Sequence, residues 1–139
     1  MNILISGIAS DIGFGAGRIL RDWGWAGHLF GADVQAEHPG AFVFDQHTVA
    51  PRASDNDYLS WLGSYIEQHN IGLFIPTSEA EIKVLSEFGA LKIKGASILI
   101  PNHSAVSRSL DKYACMSFLE SCGVRVPENG IVGEIAPTK

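Results

Sequence analysis

Residues 2–15 read NILISGIASDIGFG, and this stretch decides the fold of the chain. The run from Asn2 to Ser6 is short, apolar and rich in β-branched side chains, which is typical of a buried strand. Gly7 interrupts that run, and a helical pattern begins at Ile12. A strand, a glycine turn and a helix whose first N–H groups face the turn together form a potential anion site. The opening therefore predicts a nucleotide-type α/β domain.

The composition fits one globular domain. The chain has 139 residues, of which 46% are apolar and 18% are charged, and a chain of this kind buries a real core. Its net charge of −5 and its ten Lys and Arg residues argue against a nucleic-acid surface. No apolar run approaches the roughly 20 residues of a membrane span, and no targeting segment opens the chain. We therefore expect a cytoplasmic protein with no nucleic-acid or membrane partner.

The cysteines and histidines predict neither a disulfide nor a metal site. Cys115 and Cys122 fall in one predicted helix, about 10 Å apart at the usual rise per residue, which is too far for a disulfide. We expect both to be reduced thiols in the core. The five His residues lack the spacing of a helical zinc site, so no metal site is expected.

Short apolar runs alternate with helical segments along the chain. This alternation predicts a three-layer, Rossmann-like α/β fold with a mostly parallel five-stranded sheet, order 3-2-1-4-5, and helices on both faces. Ligands of such sheets bind beyond the carboxyl ends of the strands at the switch point. The turn at 7–15 and the segment 76–81 should therefore face one crevice. The predicted strands are residues 2–6, 29–33, 42–44, 72–75 and 97–100.

Four helices are predicted between and after these strands. The second starts at Ser54 or Asp55 and stops at Asn70, and the third opens with Ser78 as its cap. The fourth runs from Ser109 or Asp111 to Ser121, with Leu110, Ala114, Phe118 and Cys122 on one face. The first, residues 12–23, should pack on the sheet through a stripe of Ile12, Ala16, Ile19, Leu20 and Trp23.

The glycines after the first strand also suggest a dinucleotide site. In the GxGxxG pattern, however, the third glycine would stand where this chain has Arg18. Asp33 ends the second strand, where a carboxylate would hold a ribose hydroxyl, although a simple turn residue is an equally good interpretation. The Tyr-x-x-x-Lys pair of short-chain dehydrogenases is absent. The alternative dinucleotide site consists of Gly7, Gly13, Gly15 and Asp33.

A second informative segment follows the fourth strand. Residues 74–81 read FIPTSEAE, in which Ser78 and Glu81 have the spacing of a helix capping box. This favours a structural role for Glu81 over contact with a substrate. For Glu79 the two roles are equally favoured.

Residues 110–127 complete the pattern, and they read LDKYACMSFLESCGVRVP. This segment resembles the "DK…fL…G(I/V)xxP" pattern at the junction between the N-terminal and ATP-binding domains of ATP-grasp ligases. Residues 74–81 are similar to the "(I/V)PTxExE" segment of the same superfamily, particularly of members similar to the large subunit of carbamoyl-phosphate synthase. The resemblance covers residues 2 to about 132.

The resemblance implies a pre-ATP-grasp domain over residues 1–125, followed by a linker over 126–139. It implies that an ATP-grasp domain, in cis or on a partner chain, uses Mg-ATP to phosphorylate a small carboxylate, which an amine then attacks. The fragment alone should bind no cofactor tightly and should not be an enzyme.

The resemblance also implies roles for particular residues. Lys112 would contact an ATP phosphate, while the glycine-rich loop, the adenine hinge and the magnesium ligands would lie beyond Lys139. Two further interpretations remain open, namely a stand-alone NAD-binding module and a subunit that binds a catalytic partner chain. The implied substrate-side loops carry Gly7, Gly13, Thr77, Glu79 and Glu81.

Overall fold

The computed structural model describes residues 1–131, apart from the side chain of Ala41, and its centre is a single twisted sheet. The sheet has the order β3-β2-β1-β4-β6-β5, and every strand pair is parallel except β5 with β6. The predicted α/β, Rossmann-like fold is confirmed. The strands are β1 (Asn2–Ser6), β2 (Leu29–Asp33), β3 (Gln46–Val49), β4 (Ile71–Ile75), β5 (Lys92–Ile93) and β6 (Ala96–Ile98). The helices are α1 (Asp11–Asp22), α2 (Tyr58–Gln68), α3 (Glu79–Phe88), α4 (His103–Leu110) and α5 (Lys112–Ser121), with a short 3₁₀ helix at Pro39–Phe42.

The sheet has one more strand than predicted. The extra strand is Lys92–Ile93, which pairs antiparallel with the strand predicted at 97–100 and found at Ala96–Ile98. Lys94 and Gly95 connect the two with φ angles of 48° and 92°. Positive φ at both central residues is the requirement of a type I′ two-residue hairpin turn. The prediction missed this hairpin because its first strand is only two residues long.

The third strand was predicted in the wrong place. Residues 42–44 were expected to be extended, but Pro39–Phe42 forms the 3₁₀ helix and the strand comes later, at Gln46–Val49. Phe44 is buried without being part of a strand, because its ring packs against Gly31 of β2. A Cβ on Gly31 would lie 3.0 Å from Cγ of Phe44. The real β3 is an edge strand with mostly exposed, polar residues, so it has no apolar run to reveal it.

Each face of the sheet has its own core. Alternate residues of a strand point to opposite faces, so Leu4 of β1 belongs to one cluster while Ile3 and Ile5 belong to the other. The first cluster includes Leu62 of α2 and Leu85 of α3, and the second includes residues of α1 packed at its edge. Helices therefore cover both faces, as predicted.

Helix α1 packs through two glycines and through only part of the predicted stripe. Gly13 and Gly17 are its buried residues, and a Cβ on Gly17 would lie only 2.6 Å from Cζ of Phe44. A helix that approaches this closely turns its smallest residues inward. Of the predicted stripe, Ala16 and Leu20 pack against the core, whereas Ile12, Ile19 and Trp23 are 67%, 52% and 83% exposed.

The chain divides into two compact units, Met1–Ile100 and Pro101–Lys139. The first contains the whole sheet and helices α1 to α3, and the second contains α4 and α5. The predicted boundary at residue 125 stays a prediction. Residues 126–131 form no helix or strand, and the remainder of the predicted linker lies outside the described residues.

The second unit contains the helix predicted from Ser109 or Asp111 to Ser121, found as α5, and a helix that was not predicted, α4. Asp111 separates them and caps α5, because its Oδ1 accepts a hydrogen bond of 2.9 Å from the N–H of Ala114. Helix α5 buries none of its residues, so the predicted packing face, which included Phe118, is wrong. The side chain of Phe118 instead lies 4.2 Å below the guanidinium of Arg108. Cys115 and Cys122 are free thiols, but one is half-buried and the other exposed, so the expected core position is also wrong.

Candidate functional site

The turns after β1 and β4 meet at the carboxyl edge of the sheet. Gly7 has a φ of 65°, and a Cβ there would collide with Oγ1 of Thr77. A Cβ on Gly13 would collide with the carbonyl oxygen of Gly7. Both glycines are therefore required by close approach, and Gly7 by its left-handed conformation as well. The structure brings together Gly7, Gly13 and Thr77, three of the predicted site residues.

Hydrogen bonds between Ser6 and Thr77 hold the two turns together. The Thr77 hydroxyl donates to the carbonyl oxygen of Ser6 at 2.7 Å, and the Thr77 N–H donates to Oγ of Ser6 at 3.3 Å. Ser6 in turn donates its hydroxyl proton to Oε2 of Glu81 at 2.7 Å. The end of β1 is thus tied to the start of α3 through a buried serine.

Glu81 is the centre of this network. Its Oε2 accepts from the hydroxyls of Ser6 and Ser78, and its Oε1 accepts from the hydroxyl of Tyr58 at 2.8 Å. Ser78 caps α3 by accepting the N–H of Glu81 at 3.3 Å, so the predicted cap is confirmed. Because only 8% of Glu81 is exposed, these three hydroxyls replace the water that a carboxylate otherwise requires.

Tyr58 was not predicted to take part in the site. Burial raises the pKa of its hydroxyl above the ordinary value of 10.0, and the charge and hydrogen bond of Glu81 raise it further. The hydroxyl therefore keeps its proton and remains a donor to Glu81. The sequence did carry a signal, because Tyr58 stands four and eight residues before the buried Leu62 and Ile66 of the same helix, which places it on the inward face.

Asp33, the residue proposed for a ribose contact, is bonded to backbone. Its Oδ2 accepts from the N–H of Ala9 at 2.8 Å, and its Oδ1 accepts from the N–H of Gln35 at 2.9 Å. Only 7% of Asp33 is exposed. It thus fastens the turn after β1 to the end of β2.

The glycine turn uses its own N–H groups internally. The N–H of Ala9 is taken by Asp33, that of Ser10 donates to the carbonyl of Gly7 at 2.9 Å, and that of Gly13 donates to Oγ of Ser10 at 3.3 Å. These three are among the groups that would face a phosphate in an anion-binding turn. They are therefore already bonded within the chain.

A crevice of about 300 Å³ opens beside this network, at the carboxyl ends of β1 and β2. Its walls are mostly apolar, and its charged lining residues are Asp33, Glu81 and Arg52. Arg52 is exposed and was not predicted from the sequence. The lining also includes Ser6, Gly7, Ala32, Val34, Ala50, Pro51, Ala53, Ser54, Ser78 and Ala80.

Glu79, Gly15 and Lys112 are predicted site residues that are not among the lining residues of the crevice. Glu79 is the exposed first residue of α3, and Gly15 has nothing within 4 Å of a hypothetical Cβ. Lys112 is the exposed first residue of α5, in the second unit. Within residues 1–131, no group of three or more His, Cys, Asp and Glu side chains is arranged to hold a metal ion. Over the same residues, no helix combines the length and apolar character needed to cross a membrane.

Solved structures with the same fold are numerous. Glycinamide-RNase-transformylase T from Mycobacterium tuberculosis superposes with a TM-score of 0.60 at 15% identity, over 87% of this chain and 34% of its own. N5-carboxyaminoimidazole synthetase from Staphylococcus aureus gives 0.61 at 19% identity, over 90% and 30%, and has also been solved with ADP. A multifunctional pyruvate carboxylase from Rhizobium etli gives 0.63 at 14% identity, over 93% and 13%.

The likeness is one of fold. This chain spans about a third or less of the length of each of these matched structures. No protein-family model matches the sequence, and no curated protein matches it at a significant level. The comparisons therefore support the Rossmann-like α/β fold that the sequence predicted.

Proposed function

We propose that this chain is the N-terminal, substrate-side domain of an ATP-dependent carboxylate-amine ligase. Its domain would span residues 1–125, with 126–139 as the linker to an ATP-grasp domain in cis or on a partner chain. Within the superfamily, the sequence segments favour relatives of the carbamoyl-phosphate synthase large subunit. A cytoplasmic location belongs to the same proposal.

One observation carries the proposal, namely the fold shared with a synthetase that has been solved with ADP. The segments at 74–81 and 110–127 also support it, because they resemble patterns of the same superfamily. In the complete protein, Mg-ATP would activate a small carboxylate and an amine would attack the acyl phosphate. Such a step depends chiefly on the placement of charges and on alignment.

A stand-alone dinucleotide module is the alternative, and the geometry of the glycine turn favours it less. A dinucleotide site needs free N–H groups for the pyrophosphate. Here the N–H groups of Ala9, Ser10 and Gly13 are all bonded within the chain.

Lys112 provides the test of the ligase proposal. In the protein that includes the ATP-grasp domain, Lys112→Ala should weaken ATP binding about ten- to a hundredfold, the value of a charge-assisted phosphate contact. Because Lys112 is exposed, the fold should not change. Lys83→Ala, which removes an exposed lysine from α3, is the matched control and should bind ATP normally. Coupled ADP release and calorimetry measure both.

The isolated chain should neither hydrolyse ATP nor reduce NAD. The dinucleotide module would replace the ligase proposal if this chain bound NAD at micromolar affinity, and if Asp33→Ala weakened that binding while Lys112→Ala left it unchanged.

A further inference from the structure

The crevice contains two buried carboxylates. Asp33 and Glu81 line it with 7% and 8% of their surface exposed. Within residues 1–131, neither of them forms an ion pair with a Lys, Arg or His side chain. Buried charges in proteins are usually paired or bound to a cation. The lining is therefore suited to a positively charged ligand group.

Both carboxylates also retain capacity to accept hydrogen bonds. A carboxylate has about four acceptor positions. Glu81 uses three of them for Ser6, Ser78 and Tyr58, and Asp33 uses two for backbone N–H groups. The positions left over on the two side chains suit the N–H donors of a primary ammonium group.

An exposed cationic residue belongs to the lining of the same crevice. This residue is Arg52, and its guanidinium forms no ion pair within the described part of the chain. The wall that it shares with the two carboxylates is largely apolar, with Ala50 and Pro51 among its members. The crevice thus combines buried acceptors, a short apolar wall and an exposed guanidinium.

We propose that this crevice binds a small amphoteric amine, a primary ammonium compound with an anionic group a few bonds away. The ammonium group lies at Asp33 and Glu81, and the anionic group pairs with Arg52. The assignment of this amine as the substrate of the ligase rests on the function proposed above. Binding of the amine in the crevice is a property of this chain alone. At about 300 Å³, the cavity is at the small end of ligand sites.

Four probes separate the contributions of the two charged groups. γ-Aminobutyrate carries both groups, n-butylamine carries only the ammonium, butyrate carries only the carboxylate, and inorganic phosphate is the simplest anion. NMR titration of the 139-residue chain should show millimolar binding of γ-aminobutyrate. Binding of n-butylamine should be about fivefold weaker, which is the value of one exposed ion pair. Butyrate and phosphate should not bind.

Two variants locate the binding. Arg52→Gln should weaken γ-aminobutyrate about fivefold and leave n-butylamine unchanged. Ala80→Phe replaces an exposed alanine of the lining and should abolish binding of both amines. Ala26→Phe is the matched control, because Ala26 is an exposed alanine before β2, at the opposite edge of the sheet.

Three results would overturn the inference. They are equal or tighter binding of butyrate or phosphate, no binding of any probe, and amine binding that survives Ala80→Phe. Its failure is distinguishable from failure of the proposed function. ADP release by the longer protein without amine binding in this crevice would leave the ligase standing and remove the amine site. Amine binding in this crevice with no ADP release by the longer protein would leave the amine site standing and remove the ligase.

Discussion

Replacement of Tyr58 by Phe tests whether the buried network stabilises the fold as its geometry indicates. The change removes one of three hydroxyl donors to Glu81 and leaves the ring in the core, where Tyr58 is 1% exposed. A hydrogen bond to a charged group contributes about 1.5–3 kcal/mol. We expect Tyr58→Phe to lower the free energy of unfolding by that amount, about 5–10 °C in Tm for a domain of this size. Urea titration followed by tryptophan fluorescence measures it.

The same substitution has a signature at alkaline pH. The pKa of Tyr58 in the folded chain lies above its ordinary value of 10.0, so above pH 10 the unfolded chain ionises first. The stability that Tyr58 contributes is therefore fully present below pH 10 and is lost as the pH rises toward the folded pKa. Tyr58→Phe should lose less stability over this range than the parent chain does.

Tyr65→Phe is the matched control on the same helix. Tyr65 is half-buried, and its hydroxyl makes no hydrogen bond within residues 1–131. Its removal should change the free energy of unfolding by less than about 0.5 kcal/mol. Equal effects of the two substitutions, or an unchanged Tyr58→Phe, would refute the role assigned to the Tyr58 bond.

Two further predictions concern helix α1 and the loop that it contacts. Gly13→Ala should lower the free energy of unfolding by at least about 2 kcal/mol, because the new methyl group meets the carbonyl of Gly7. Gly15→Ala, in open space on the same helix, should raise it by about 0.5–1 kcal/mol. Urea titration of both variants measures the contrast. Burial raises the pKa of Asp45, but hydrogen bonds from Arg21 and from a backbone N–H lower it more, to a value below 3.8. The stability from Asp45 is therefore present above pH 3.8 and lost as the pH falls through the folded pKa. Asp45→Asn should cost under about 1 kcal/mol at neutral pH, since the pair with Arg21 is partly exposed, and its Tm should converge with that of the parent chain near the acid end of the titration.

The sequence predicted those elements whose signal is local. Strands β1 and β2 were predicted at their observed bounds because each is a buried run that ends at a turn residue. Strand β3 was missed because it lies at the sheet edge, where little burial is needed and polar residues suffice. The inward face of α1 was predicted only in part: Ala16 and Leu20 do pack against the core. Periodicity gives weight to large apolar residues, and it missed Gly13 and Gly17, which are buried by close packing.

In the candidate site too, the sequence predicted only the contacts between residues that are close along the chain. The cap formed by Ser78 joins residues three positions apart, so spacing alone predicted it. The bonds from Ser6 and Tyr58 to Glu81 span 75 and 23 positions, and no periodicity in a single chain encodes such a pairing. Arg52 has no local pattern around it, and only the folded chain shows that it shares a crevice with two acids.

These long spans also decide when the crevice forms. The bonds at Ser6 join residues 71 and 75 positions apart, and the loss of chain entropy on closing such loops comes before the contacts can compensate for it. We therefore expect the network around Glu81 to assemble late on the folding path, after α1 and α2 have formed. Interactions that are absent from the transition state act on the rate of unfolding rather than of folding. We therefore expect substitutions in the network around Glu81 to change the rate at which the folded chain unfolds more than the rate at which it folds.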